Sequence, residues 1–476
     1  MKRFSLLFAA LTLWTILFGQ NAYLDKPRVD ERVELVSIVF RLAGAPEYNH
    51  NIYASYVDKI RTHYHPYMDH KIIEFVQQLR ATNGVAYDAA MFMAISLDEN
   101  LDPLVPFTDS IPEARWGREN ALEFVRLLKD FYHQTNSTEF FRANEQTYIL
   151  ASERYASVFE KLDADWYPAF YGQAPEEQFI VINSPGNGGN NYGPQIKLPD
   201  GQRKVYAIMG TSKTDQAGDP VYTIENNFPI LVHEFNHSFI NHLIDKNRDL
   251  FAESGEKIYE TVGTLMQSQA YGVWHTVFKE ALVRAAVIKY MKDHDFTPTD
   301  ISNETLNQLS RGFYWIHDLV SELDSYDQQR NVYPSLESYM PQMANAFEQY
   351  AQNIEQYKET FDAKRPHIVS FAEFSNGAQN VDPCTQTITV RFDRELEGKG
   401  YSITYGPNGS DHFPEITGIR YAEDKRSLIL EVALKPGKEY EMVLLGLAFK
   451  STDGIPLENY TLSFATGQEV EPSAPF

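Results

Sequence analysis

The segment His233-Glu234-Phe235-Asn236-His237 constrains this chain more than any other. Two histidines four residues apart lie on one face of a helix, about one turn from each other, close enough to hold one metal ion. Glu234 follows the first histidine and points toward the coordination position left open, where a carboxylate can take a proton from a water. Leu231, Val232, Phe235, Phe239, Ile240, Leu243 and Ile244 surround the pair, so the helix is read as buried. Polar groups in such a setting need partners, and a metal is one. Asn226 and Asn227 offer capping side chains and Pro229 suits a first turn, which sets the helix start near Phe228.

Two histidines do not complete a site. A third histidine six residues after the second, with an intervening glycine, would mark a different class. Leu243 and Ile240 stand at those positions, and His242 is one residue out of phase. The third ligand is therefore expected to be a downstream carboxylate, as in gluzincins. Glu253, Glu256, Glu260 and Glu280 compete. Glu256 and Glu260 stand at the sequence distance of thermolysin-like enzymes. Glu280 sits on the largely apolar stretch 274–291, where a carboxylate needs a reason: metal ligation, or a pair with Arg284.

The rest of the chain sets the context. Its 476 residues imply two or three domains. A net charge of −23 repels phosphate backbones, so nucleic acid is not an expected partner. Aromatic residues make up 13%, ample for buried cores and contrary to disorder. Lys2 and Arg3 precede an apolar run over 5–18 with charge returning at Asp25, the anatomy of a secretory signal peptide over 1–19. The run is short for a membrane span, and no other segment is long and apolar enough to be one. The expected location is therefore periplasmic or secreted. The one cysteine, Cys384, allows no internal disulfide and lies too far from the N-terminus to anchor a lipid.

From 28 to about 365 the spacing of apolar residues predicts mostly helix: 51–63, 71–81, 88–96, 116–135, 144–162, 256–270, 274–294, 303–324 and 335–359. Two apolar strands interrupt it, 179–182 and an edge-like 205–209, read as neighbours. The glycine-rich segment 184–193 between them is either a mobile cover for a substrate cleft, with Tyr192 reaching the substrate, or a plain surface loop. It lacks the Gly-Lys-Ser/Thr ending of a phosphate-binding loop. Tyr314, His317 and Arg311 are candidate donors to a developing oxyanion, although Tyr314, Trp315 and Ile316 read first as core. His63, His65 and His70 cluster around Pro66, more readily a solvated turn than a second metal site. After Arg365-Pro366 the period changes to short alternating strands, such as 387–392, 427–432 and 440–444, separated by turns. About 100 residues of that texture predict a β-sandwich over 366–467, followed by a tail at 468–476.

The stretch from about 32 to 339 resembles a domain-of-unknown-function family of exported, gluzincin-like zinc metallopeptidases. The resemblance rests on Glu34-Leu35-Val36, Leu42-Ala43-Gly44, Glu47-Tyr48, Asn191-Tyr192-Gly193, His233-Glu234-Phe235-Asn236-His237-Ser238-Phe239 and Glu280-Ala281-Leu282-Val283-Arg284-Ala285. It implies Glu280 as the third ligand, with Arg284 behind it. The region 366–467 resembles a bacterial Ig-like domain through the strand 387–392 with Asp393-Arg394-Glu395-Leu396, Leu434-Lys435-Pro436-Gly437-Lys438-Glu439-Tyr440, and Asp453-Gly454 before the strand 460–464. Such domains are spacers or docking modules.

The expectation is a multidomain α+β protein: a mostly helical domain with a small sheet over 20–365, then an all-β Ig-like sandwich. His233, His237 and Glu280 would hold Zn²⁺, and Glu234 would serve as general base in hydrolysis of a peptide or protein substrate. The alternative is an inactive or non-peptidase envelope protein that keeps a structural zinc site and binds through the Ig-like domain.

Overall fold

The computed structural model describes residues 23–468. The expected signal segment lies outside the described residues, as does the tail from residue 469. The chain divides into two compact units, Met1–Phe239 and Ile240–Phe476.

The first unit carries α1 (Glu31–Leu42), α2 (Ala54–Tyr64), α3 (Lys71–Asn83), α4 (Asp88–Ile95), α5 (Arg118–Gln134), α6 (Ser137–Ala143), α7 (Glu145–Phe159) and α8 (Trp166–Tyr171). Its sheet is built from β1 (Leu24–Val29), β2 (Glu177–Ser184), β3 (Gln195–Lys197) and β4 (Arg203–Gly210), in the order β1-β2-β4-β3. The pairing of β2 with β4 is parallel and unbroken from Glu177–Arg203 to Ser184–Gly210. That agrees with the two neighbouring apolar strands read from sequence. β4 is a correction: it lies inside the sheet, and the edge is β3, antiparallel to it. With only Ile196 buried between exposed Gln195 and Lys197, β3 has too short an apolar signature to be legible. β1 was also missed. Its Lys26-Pro27-Arg28 core reads as loop, yet proline and charge are what an edge strand tolerates.

α9 (Ile224–Lys246) carries the two histidines and begins a turn earlier than the sequence suggested. The cap is Thr223, whose hydroxyl accepts from the Asn226 amide at 3.3 Å. Asn226 and Asn227 lie within the helix and hydrogen-bond back to Thr223. Pro229 lies inside the helix, past the first turn, and has no amide to offer the Glu225 carbonyl four residues back.

The second unit contains α10 (Arg248–Ser268), α11 (Trp274–Asp293), α12 (Pro298–Ser310), α13 (Ile316–Gln328) and α14 (Leu336–Asp362). The helix expected over 303–324 is two helices. Gly312 takes a φ of +95° between them, and a Cβ there would press on Leu265 Cδ2 at 2.8 Å. After α14 the strands β5 (Ile368–Phe371), β6 (Thr387–Phe392), β7 (Ile403–Thr404), β8 (Glu415–Tyr421), β9 (Ser427–Ala433), β10 (Glu439–Leu444) and β11 (Tyr460–Ala465) form two sheets, β5-β6-β9-β8 and β11-β10-β7. Alternate residues of both sheets, among them Ile388, Val390, Leu428, Leu430, Met442, Leu444 and Leu462, share one apolar core. Cys384 is exposed.

One charged group is sealed inside the first unit. Glu34 on α1 is fully buried. Its carboxylate accepts from Tyr56 Oη at 2.8 Å, Ser184 Oγ at 2.7 Å and the Gly186 amide at 3.2 Å. Burial pushes its pKa up to about 6, against the lowering pull of those donors and of the Arg41 charge. Arg41 is pushed down to about 10, also by burial. Desolvation thus outweighs attraction on both partners. Because the native state holds the Glu34 proton more tightly than the unfolded chain, this group's stabilisation is complete below its ordinary value of 4.5 and is lost as pH rises through about 6. Relative to Glu34→Gln, the wild type should lose about 2 kcal/mol between pH 4 and pH 7. Urea unfolding of both proteins across that range measures the difference, and parallel curves would contradict it.

Candidate metal centre

The face of α9 opposite the histidines sets its roll. Phe235 and Phe239 are buried, each two residues beyond a histidine and so about 200° around the helix. Phe235 lies 4.5 Å, ring to ring, from Phe179 of β2. Phe239 stacks on Tyr171 at 4.5 Å with 8° between planes, and on Tyr167 at 5.4 Å. Tyr171 Oη donates to Oδ1 of buried Asn236 at 2.9 Å. This aromatic bed pins one side of the helix and turns His233 and His237 to the other, where both are partly exposed.

There the two imidazoles converge. Their Nε2 atoms stand 3.1 Å apart, with rings perpendicular. Two nitrogens bound to one tetrahedral ion at about 2.0–2.1 Å would be about 3.3 Å apart, so the pair fits a shared ion with little adjustment. Ligand atoms of His233, His237 and Glu280 all lie within 4.8 Å of one another. The structure therefore brings Glu280 to the histidines. Glu253, Glu256 and Glu260 lie exposed on α10 and are not in this group. Two imidazole nitrogens and one carboxylate oxygen are a donor set suited to a divalent ion such as zinc, with one position left open.

Glu280 is buried on α11 and held from behind. Arg284 Nη2 donates to its Oε2 at 2.9 Å. Tyr271, in the turn before α11, donates to the same oxygen at 3.1 Å and accepts from Arg284 Nη2 at 2.8 Å. Arg284 is fixed in turn by Gln308 Oε1 at 3.0 Å and lies over the Phe313 ring. Burial raises the Tyr271 phenol, so it stays a proton donor. Arg284 stands where the resemblance implied. Tyr271 was missed, since a lone tyrosine beside a turn glycine carries no spacing signal.

Glu234 meets an unexpected neighbour. A Cβ on Gly193 would overlap its carboxylate, so the two groups are in direct apposition. The glycine-rich segment is thus beside the site, but not as a mobile cover. Residues 184–188 are buried, and Tyr192 pairs with Ile208 of β4 through both backbone groups. Tyr192 itself turns into the core and stacks on Tyr48 at 6.2 Å. Tyr314 is buried against Phe361, in keeping with a core role, and His317 is exposed on α13. The Arg311 carbonyl accepts from Gln269 Nε2. Of the clustered early histidines, His63 meets the Thr135 carbonyl and His70 caps α3 through the Ile72 amide.

Residues 116–346 match a family model described as a domain of unknown function, DUF4932. That span includes both histidines, Glu234, Glu280, Arg284 and Tyr271. No curated protein matches the chain. Among solved structures, domains 1–6 of surface layer protein SbsC align at 17% identity over 51% of this chain and 34% of that one, with a TM-score of 0.18. The N-terminal part of the same S-layer protein aligns at 15% identity over 51% of this chain and 59% of that one, with a TM-score of 0.17. The chain thus spans less than two thirds of either, and scores this low carry no structural argument.

Tyr271→Phe should weaken Zn²⁺ binding about 10–100-fold by freeing the Glu280 carboxylate. Competition against a chromophoric chelator, with circular dichroism to check folding, measures this. Unchanged affinity would leave the orientation of Glu280 to Arg284 alone.

Proposed function

We propose that this chain is a gluzincin-type zinc metallopeptidase. The observation that carries the reading is the convergence of His233, His237 and Glu280 beside a fourth group, Glu234, which is not part of the ligand set. A purely structural site has no use for a carboxylate at that place. When bound, a zinc ion supplies a Lewis acid that makes a water acidic enough to ionise near neutral pH. His233, His237 and Glu280 would hold that ion. Glu234 accepts the proton of the attacking water and passes it to the leaving amine. Tyr271 and Arg284 keep the Glu280 carboxylate aimed.

The neighbouring backbone favours a peptide as substrate. Gly193 leads through Pro194 into β3, the edge of the sheet. An edge strand beginning beside the general base offers unpaired backbone groups to an extended chain. We also read β5–β11 as a bacterial Ig-like spacer or docking module, and the protein as exported to the periplasm or medium. Those readings rest on the resemblance and on the apolar run at 5–18.

Glu234→Gln should bind Zn²⁺ like the wild type and lose about 10²–10⁴-fold in hydrolysis. Cleavage of a peptide library, with and without a chelator, is the assay. Retained hydrolysis in the variant would sink the mechanism. Tight zinc with no cleavage of any peptide by the wild type would favour the binding-protein alternative.

A further inference from the structure

We propose that Glu34 is a positioning residue for this site: its buried carboxylate fastens the 184–193 segment and thereby sets the Gly193 backbone against Glu234. The proposal rests on the reading of Glu234 as the general base.

The segment is tied at its start and near its end. At the start, Glu34 Oε1 takes both the Ser184 hydroxyl and the Gly186 amide, at 2.7 and 3.2 Å. A Cβ on Gly186 would come within 2.6 Å of Glu34 Oε2, so the chain can approach this closely only as glycine. In the middle, Asn187 folds the segment on itself through the Gly189 amide and the Asn190 carbonyl, at 3.0 and 2.8 Å. Asn190 Nδ2 reaches the Glu47 carbonyl at 2.6 Å. Near the end, Asn191 Oδ1 accepts from the Gly210 amide at 3.1 Å, and Tyr192 joins β4. Gly193 follows, facing Glu234. A buried carboxylate is costly to keep, and a polar or apolar isostere at position 34 would remove that cost. What Oε1 supplies in return is an acceptor for two donors of the segment at once.

Glu34→Ala removes that acceptor, whereas Glu34→Gln can keep it by placing its amide nitrogen toward Tyr56. Hydrogen bonds to charged groups carry about 1.5–3 kcal/mol, so their loss corresponds to about tenfold or more in local opening. In the full-length protein, amide exchange within 186–193 should rise at least about tenfold in the Ala variant, with exchange in β2 and β4 unchanged and Zn²⁺ affinity kept. On a peptide that the wild type cleaves, kcat should fall about tenfold with KM little altered, and the Gln variant should restore both readouts. Exchange in 186–193 that stays at the wild-type level in the Ala variant overturns the proposal, as does looser exchange with undiminished kcat. If the Ala variant loosens β2 and β4 equally, Ser184→Ala, which removes one donor and leaves the charge, must show the same local effect or the proposal fails. A wild type that binds zinc and cleaves nothing overturns the peptidase reading, while the exchange experiment still decides whether Glu34 anchors the segment.

Discussion

The packing of Phe235 and Phe239 against Phe179, Tyr167 and Tyr171 decides where everything at the metal centre points. A helix carrying histidines at i and i+4 can present them in any direction until its opposite face is committed. Here two phenylalanines offset by two residues commit it to an aromatic bed on the sheet and α8. Rolling α9 by one residue would bury an imidazole among those rings and expose a phenylalanine. The cost of such a move, about 2 kcal/mol or more for each aromatic side chain brought into water, keeps the two Nε2 atoms converged without help from an ion.

A second rigid frame stands behind Glu280. Its carboxylate has a cation and a phenol on one oxygen, and both are themselves held, Arg284 by Gln308 and Tyr271 by Arg284. Such a chain of partners keeps the carboxylate correctly turned. Orientation on one side comes from apolar packing, and on the other from charge-assisted hydrogen bonds. The two devices differ in their sensitivity to salt, which screens the charged frame and leaves the apolar packing in place.

Much of this is legible in the sequence itself. His233, Glu234 and His237 follow from a fixed helical spacing, and the apolar residues around them announced a buried helix. The two central strands show as short uninterrupted apolar runs, 179–182 and 205–209. Glu280 was weaker: spacing left it among four glutamates, and the resemblance, not geometry, singled it out. The parts that were not legible share a cause. β1 and β3 are edge strands whose residues answer to solvent, so they carry little periodic signal. Tyr271 and Gly193 act through contacts across long stretches of sequence. The segment 184–193 reads as loose because it is rich in glycine, yet glycine is there because Glu34, Glu47, Thr211 and Glu234 crowd its backbone.

The pairing of β1 with β2 has a bearing on how the chain matures. Leu24 lies opposite Phe179, so β1 finds its place only after the eight helices α1–α8 and the start of β2 have been synthesised. Closing so long a loop is slow compared with forming the local helices. Until then a strand edge would be available to any passing chain. Lys26, Pro27 and Arg28 make that edge a poor template for aggregation, since two charges and a missing amide interrupt it at its centre. The same three residues that hid β1 from a periodicity search thus act as gatekeepers during biogenesis.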